Sequence, residues 1–297
     1  WTDREVNPEQ SAAVLLPGSV FLVACPGSGK TRTLTYKIAY ELSHMESDRQ
    51  FVVAITYTHR AADEIQERIE SLGVDTSKLW IGTIHSFCLE WIIKPYGIYL
   101  PELARGYRVI DQHEREKLLE RLCAPYSGQR ISFYDCDYYF ASDGYHLGCP
   151  QQAKHATLHL ILAEYFRILA ENRQIDFELI LWHACRLIQH NQNISALLSK
   201  LFSVVLVDEY QDTKQIQYSI ICAILKAGGG GTRLFMVGDP NQAIYGSLGG
   251  YPIAAADLRR LAAIPIAERE LSLNYRSSER ITRYFGNYNV FRTTITA

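Results

Sequence analysis

The segment Ala24-Cys25-Pro26-Gly27-Ser28-Gly29-Lys30-Thr31 restricts the fold of this chain more than any other. It follows an apolar run, Ser19 to Ala24, and opens onto Thr31 to Leu42, where Leu34, Ile38 and Leu42 recur at four-residue steps. A buried strand, a glycine-rich turn and a helix in that order make a phosphate-binding loop. Gly27 and Gly29 let backbone N–H groups curl around a phosphate, and the helix start adds the positive end of its dipole. Lys30 is placed to reach the β- and γ-phosphates of a nucleotide, and Thr31 to hold Mg²⁺ through its hydroxyl. Ala24 stands where the general pattern has glycine; the Gly-x-Gly-Lys-Thr core is intact.

A second run, Val204-Val205-Leu206-Val207, ends in Asp208-Glu209. A buried strand delivering two carboxylates complements a phosphate loop: Asp208 binds Mg²⁺, and Glu209 polarises the water that attacks the γ-phosphate. Between the two motifs, Phe51 to Ile55 and Leu79 to Ile81 read as strands, Ala61 to Leu72 and Ser86 to Ile93 as helices. From about Pro95 to Lys200 the pattern turns helical, with Asp111 to Leu122, Lys154 to Ala170 and Phe177 to Gln189. Within it, Tyr126 to Pro150 is rich in Tyr, Asp and Gly and reads as a surface insertion. Strands return at Leu234 to Val237 and Arg269 to Leu273, with helices at Ile216 to Lys226 and Ser277 to Phe285. Gly228 to Gly231 reads as a flexible loop. Alternating strands and helices imply a parallel sheet with helices on both faces.

Composition limits the alternatives. With 297 residues, 47% of them hydrophobic, the chain has material for about two domains and is not disordered. No apolar run reaches the roughly 18 residues of a membrane span, and the start, Trp1-Thr2-Asp3-Arg4-Glu5, has no secretory pattern. Seven cysteines without paired spacing fit reduced thiols, so a cytoplasmic location is expected. Cys123, Cys136 and Cys149 are evenly spaced near His146 and His155, but no C-x-x-C or H-x-x-x-H pair supports a metal site. A net charge of −2 excludes a highly basic coating protein without excluding a local nucleic-acid groove.

Six further segments narrow the reading. Asn7-Pro8-Glu9-Gln10 precedes the loop, Thr56-Tyr57-Thr58-His59-Arg60-Ala61-Ala62 follows the second strand, and Gly82-Thr83-Ile84-His85-Ser86-Phe87 the third. The carboxylate pair extends as Tyr210-Gln211-Asp212-Thr213; Gly238-Asp239-Pro240-Asn241-Gln242-Ala243-Ile244-Tyr245 and Asn274-Tyr275-Arg276-Ser277 complete the series. In this order the set resembles the N-terminal half of the UvrD/Rep-like superfamily 1A DNA helicases, over residues 7 to 277. The resemblance implies a RecA-like α/β fold, with residues 1–94 and 201–267 as the ATP-binding motor domain and 95–200 as an inserted helical subdomain. Residues 268–297 would then begin a second motor domain, whose later motifs are expected past residue 297, and this piece alone is expected to hydrolyse ATP slowly.

The same resemblance implies an ATP site in which Gln10 reads adenine and Tyr275 stacks on it, with Ala24, Pro26, Gly27, Ser28, Gly29, Lys30, Thr31 and Arg32 around the phosphates. Arg276 would reach the γ-phosphate, and Gln242 would sense it and couple it to DNA. Tyr57, Thr83, His85 and Tyr245 are the implied contacts to single-stranded DNA or a single-strand/duplex junction. The activity implied is ATP- and Mg²⁺-dependent 3′-to-5′ translocation or unwinding. One departure stands out: after Tyr245 the family pattern brings a stacking aromatic and an arginine, whereas Gly246, Ser247, Leu248 and Gly249 follow here. Tyr251 lies close enough in sequence to compensate. Two alternatives stay open, a helicase–nuclease with its nuclease past residue 297 and a nucleic-acid-responsive ATPase switch that signals without unwinding. Cys25, inside the loop, is expected to make nucleotide binding sensitive to alkylation.

Overall fold

The computed structural model describes residues 6–246 and 249–296, so Ser247 and Leu248 lie outside the described residues. Six strands build the central sheet: β1 (Ser19–Ala24), β2 (Phe51–Thr56), β3 (Leu79–Thr83), β4 (Phe202–Val207), β5 (Arg233–Gly238) and β6 (Ile266–Leu271). They lie in the order β6-β1-β5-β4-β2-β3, every pairing parallel. Strands buried on both faces read as continuous apolar runs, and for that reason β1, β2, β4 and β5 were visible in the sequence.

The two-residue period of each strand sorts its side chains between two cores. Val20, Leu22, Val52, Ala54, Val204, Leu206, Phe235 and Val237 face one core, with Leu34, Ile38, Ile65 and Ile69 from α2 (Lys30–Ser43) and α3 (His59–Ser71); α1 (Pro8–Leu15) precedes them. Phe21, Val53, Ile55, Val205, Val207, Leu234 and Met236 face the other. That second core is continuous with the helical segment between β3 and β4: α4 (Gln112–Cys123), α5 (His155–Glu171), α6 (Phe177–His190) and α7 (Gln192–Leu201). It also takes in α8 (Gln215–Gly228) and α9 (Ala255–Ala262); α10 (Glu279–Gly286) follows the sheet. The expected α/β sheet with helices on both faces is the observed architecture.

Four details differ from the sequence reading. The boundary expected at 267/268 cuts through β6, all six residues of which pair with β1. As an edge strand with one neighbour, β6 carries exposed Glu268, Arg269 and Glu270, which hid its start behind a polar pattern. Residues 126–150 are not a surface insertion: Tyr138–Ala141 and Gly144–Leu147 pair as a hairpin, and Cys136, Tyr138 and Phe140 are buried. The glycine run stops a helix instead of forming a free loop, since α8 continues to Gly228 and Gly229 closes it at φ +55°. The helix expected at 86–93 is α-helical only over Ile84–Phe87 and widens to a π-helix over Cys88–Ile93. Among the described residues no helix is long and apolar enough to cross a membrane.

Candidate nucleotide site and adjoining aromatic face

The expected site residues gather along the carboxyl edge of the sheet, where parallel strands present their loops. After β1 the chain turns through Gly27 (φ +74°) and Gly29 (φ +82°), both in the left-handed region that suits glycine. Gly29 caps α2 without a side-chain acceptor, and the first helical bond runs from Thr33 N to Gly29 O. The N–H groups of Lys30, Thr31 and Arg32 therefore point out of the helix start, toward a place that favours an anion. Ser28 is buried and donates its hydroxyl to Cys25 O at 2.8 Å, which fixes the turn. Cys25 corrects an expectation: it is fully buried, its thiol faces Ser272 O at 3.3 Å, and burial pushes its pKa up to about 11. A buried, protonated thiol is a poor target for alkylation.

The carboxylates arrive on β4, two strands from β1. Asp208 N donates to Ile55 O at 2.9 Å, and Glu209 takes a left-handed conformation at φ +48°, ψ +51°. Such backbone is uncommon for a residue other than glycine and turns the side chain toward the loop. Lys30 Nζ lies 3.6 Å from Glu209 Oε2. A chain of amides continues from there: Gln211 Nε2 donates to Glu209 Oε2 at 2.8 Å, and Asp239 N donates to Gln211 Oε1 at 2.9 Å. Gln242 Nε2 then donates to Asp239 Oδ2 at 2.6 Å. Only glycine fits at 238, where a Cβ would sit 2.4 Å from Gln211 Oε1. Burial, with Glu209 beside it, pushes the Asp208 carboxyl up to about 7 against the pull of Lys30, and burial also raises Asp239. Buried carboxylates outnumber the nearby ammonium, and the hard oxygens of Asp208 and Thr31 suit Mg²⁺, so the residues present fit that ion.

A third segment closes over the loop from β6. Asn274 Nδ2 donates to Pro26 O at 2.6 Å while its Oδ1 accepts from Arg276 N at 2.9 Å and Ser277 N at 2.8 Å. Tyr275 N donates to Gly27 O at 3.0 Å, and its hydroxyl accepts from Asn7 Nδ2 at 2.7 Å, leaving the ring exposed. A Cβ on Gly27 would come within 2.6 Å of Arg276 Cβ, so the approach depends on glycine there. Gln10 is buried, and its amide accepts from Asn7 N at 3.0 Å and donates to Ser28 O at 2.9 Å. Its side chain is thus tied to the loop as well as standing beside it. Arg32 is exposed and lines a groove with Tyr36 and Arg68, away from this cluster. Gln211, Asp239 and Asn274 were not singled out as site residues; their place inside the quoted motifs was the available signal.

The four expected nucleic-acid residues follow β2, β3 and β5. The rings of Tyr57 and Tyr245 stack 5.2 Å apart at 24°, with Tyr57 half exposed. Thr83 is buried, and its hydroxyl caps the next helix by accepting from Ser86 N at 3.3 Å. His85 is half-buried, packs edge-on against Phe177, and burial pushes its pKa down to about 4, so the ring is neutral. Past Tyr245, Gly249 (φ +88°) presses on the Tyr139 ring, and Tyr251 lines a groove of about 460 Å³ with Tyr139 and His146.

A parallel α/β sheet whose first loop turns through two glycines onto an uncapped helix start and whose fourth strand ends in paired carboxylates defines a P-loop nucleotide-binding domain. Residues 6–255 match the family described as UvrD/REP helicase N-terminal domain, and the chain belongs to that family. It is 28% identical over 294 residues to the ATP-dependent DNA helicase PcrA of Staphylococcus aureus, covering 94% of this chain and 39% of that protein. It is also 28% identical over 317 residues to the ATP-dependent DNA helicase SRS2 of Saccharomyces cerevisiae, covering 93% and 26%. The chain thus spans about two fifths or less of the curated relatives it matches. Superposition on a Bacteroides Pif1 structure is weak, with a TM-score of 0.37 and 14% identity over 95% of this chain and 45% of that one.

Proposed function

We propose that this chain is the ATP-binding portion of an ATP-dependent DNA helicase or translocase that moves 3′-to-5′ along single-stranded DNA. One observation carries the reading. Lys30, Glu209 and the Asn274–Arg276 segment converge on the phosphate loop, on the same sheet edge that holds the Tyr57–Tyr245 stack.

In this reading the loop N–H groups and Lys30 bind the β- and γ-phosphates, with Ala24, Pro26, Gly27, Ser28 and Gly29 shaping the turn. Glu209, held by Gln211, takes the proton of the attacking water, and Arg276 supplies a planar guanidinium to the transferring oxygens. Tyr275 offers its exposed ring to the adenine, and Gln10 lies at its edge. Mg²⁺, held by Thr31 and Asp208, would neutralise phosphate charge. Gln242 links this cluster through Asp239 to the loop that carries Tyr245. Tyr57 and Tyr245 stack on bases, worth about 1–3 kcal/mol per base, and Thr83 and His85 contact the backbone. A second motor domain elsewhere in the protein completes the ATP site.

The test uses the full-length protein. Lys30→Ala is expected to abolish DNA-stimulated ATPase while circular dichroism stays unchanged; full activity in that variant would refute the phosphate-loop role. Strand displacement is expected from 3′-tailed duplexes and not from 5′-tailed ones. Stimulated ATPase without displacement would replace the motor by a signalling switch.

A further inference from the structure

Two polar side-chain atoms beside the site, one on His85 and one on Asp212, are buried without a partner among the described residues. A cavity of about 60 Å³ has Tyr57, Thr83 and His85 along one part of its wall and Asp208, Glu209 and Asp212 along another. It separates the aromatic face from the carboxylate pair. His85 Nε2 and Asp212 Oδ1 are both buried and have no hydrogen-bond partner among the described residues. A space this large exceeds the roughly 10–15 Å³ that one water needs, and ordered water settles where two or more polar atoms face it. Neutral His85 can donate or accept at Nε2, and Asp212 accepts, so the pair offers complementary partners to water.

Asp212 is also tied to both sides. Its backbone N–H donates to Glu209 O at 3.0 Å, closing the short turn that sets the Glu209 backbone. The backbone N–H of Ile244 faces its carboxylate, one residue before the Tyr245 ring that stacks on Tyr57. Thr213 O, next in the chain, accepts from Tyr251 N at 3.0 Å and anchors the far end of the same loop. A shift of the Tyr57–Tyr245 face therefore has a short physical route to Glu209, through one carboxylate and the cavity behind it.

We propose that His85 and Asp212 hold ordered water in this cavity, and that Asp212 is the positioning residue through which occupation of the aromatic face is felt at Glu209. The coupling half of the inference rests on the proposed function; the hydration half does not.

Two measurements decide it. A crystal structure that resolves solvent is expected to place at least one water within hydrogen-bonding distance of His85 Nε2 or Asp212 Oδ1; a dry cavity overturns the inference. In the full-length protein, Asp212→Ala is expected to lower the ratio of DNA-stimulated to basal ATPase about tenfold, within the ~5–150-fold range usual for coupling between sites. Its Kd for single-stranded oligonucleotide should stay near the wild-type value, and Asp212→Asn, which keeps an acceptor oxygen, should recover part of the ratio. A folded Asp212→Ala with the wild-type ratio overturns the coupling role, and should it not fold, an Asp212→Asn ratio equal to wild type does so. A wild-type protein that DNA fails to stimulate overturns the proposed function and the coupling together, while the crystal still decides the hydration.

Discussion

Two buried aspartates in this molecule are treated very differently by their surroundings. Asp176, at the start of α6, accepts from the Tyr138 hydroxyl at 2.6 Å, the Tyr165 hydroxyl at 2.7 Å and Leu179 N at 3.0 Å. Arg115 Nε stands 3.8 Å away. Asp208, at the end of β4, accepts from Glu209 N at 3.0 Å and is left next to a second carboxylate. Asp176 has its lone pairs met by the protein and joins the hairpin to α5 and α6; it is scaffold. Asp208 is left short, a state that natural folds keep where something from outside completes the set.

The sharpest way to break this contrast is at the functional end. Glu209→Gln in the full-length protein is expected to reduce steady-state ATP turnover by about 10²–10⁴, the usual worth of a general base, with ATP retained in a filter-binding assay. Unchanged turnover would remove Glu209 from that role. Next comes the scaffold: Asp176→Ala leaves two buried hydroxyls unpaired and Arg115 with Asp137 as its remaining carboxylate, and is expected to cost about 3–5 kcal/mol in urea unfolding. A loss below about 1 kcal/mol would mean that the network is ornamental.

A titration separates Asp208 from the buried histidines by sign. Asp208 has its folded pKa raised to about 7 from a usual value near 3.8, so the folded state holds the extra proton between these values. Its contribution to the stability of the metal-free protein is present at low pH and lost as pH rises from about 4 to about 7. His85 and His183 act oppositely: with pKa values lowered to about 4, their contribution is present above about 6.5 and lost as pH falls toward 4. The difference in Tm between wild type and Asp208→Asn isolates the aspartate, and the variant should be the more stable above pH 7. Equal pH slopes would show that Asp208 is not left short. The smallest effect belongs to an ordinary cap: Asn191 accepts from Asn193 N at 3.1 Å at the start of α7, and Asn191→Ala should cost about 1 kcal/mol by thermal melting.

The contrast also marks how far the sequence could be read. The loop, the carboxylate pair and five of the six strands were legible because each depends on local residue order: glycines at fixed offsets, or short apolar runs. Gln211, Asp239 and Asn274 were not legible as site residues, since their work is to bond across the fold. The hairpin around Tyr138 was misread for a related reason. Its Tyr, Asp and Gly content looks solvated until Asp176, 38 residues on, supplies the partner for Tyr138. Edge strand β6 was misplaced because an edge position rewards charge where a central one rewards apolar bulk.

Asn274 has a kinetic consequence. One side chain holds Pro26 O with its nitrogen and two N–H groups of its own turn with its oxygen. The two bonds inside the turn stiffen it, so the bond to Pro26 O and the neighbouring one from Tyr275 N to Gly27 O should break together, and the Tyr275–Arg276 segment should leave the phosphate loop in a single step instead of fraying from it. A latch of that kind sets a waiting time: nucleotide exchange would be paced by how often Asn274 lets go, and a side chain too short to span both partners would shorten the wait without touching a phosphate.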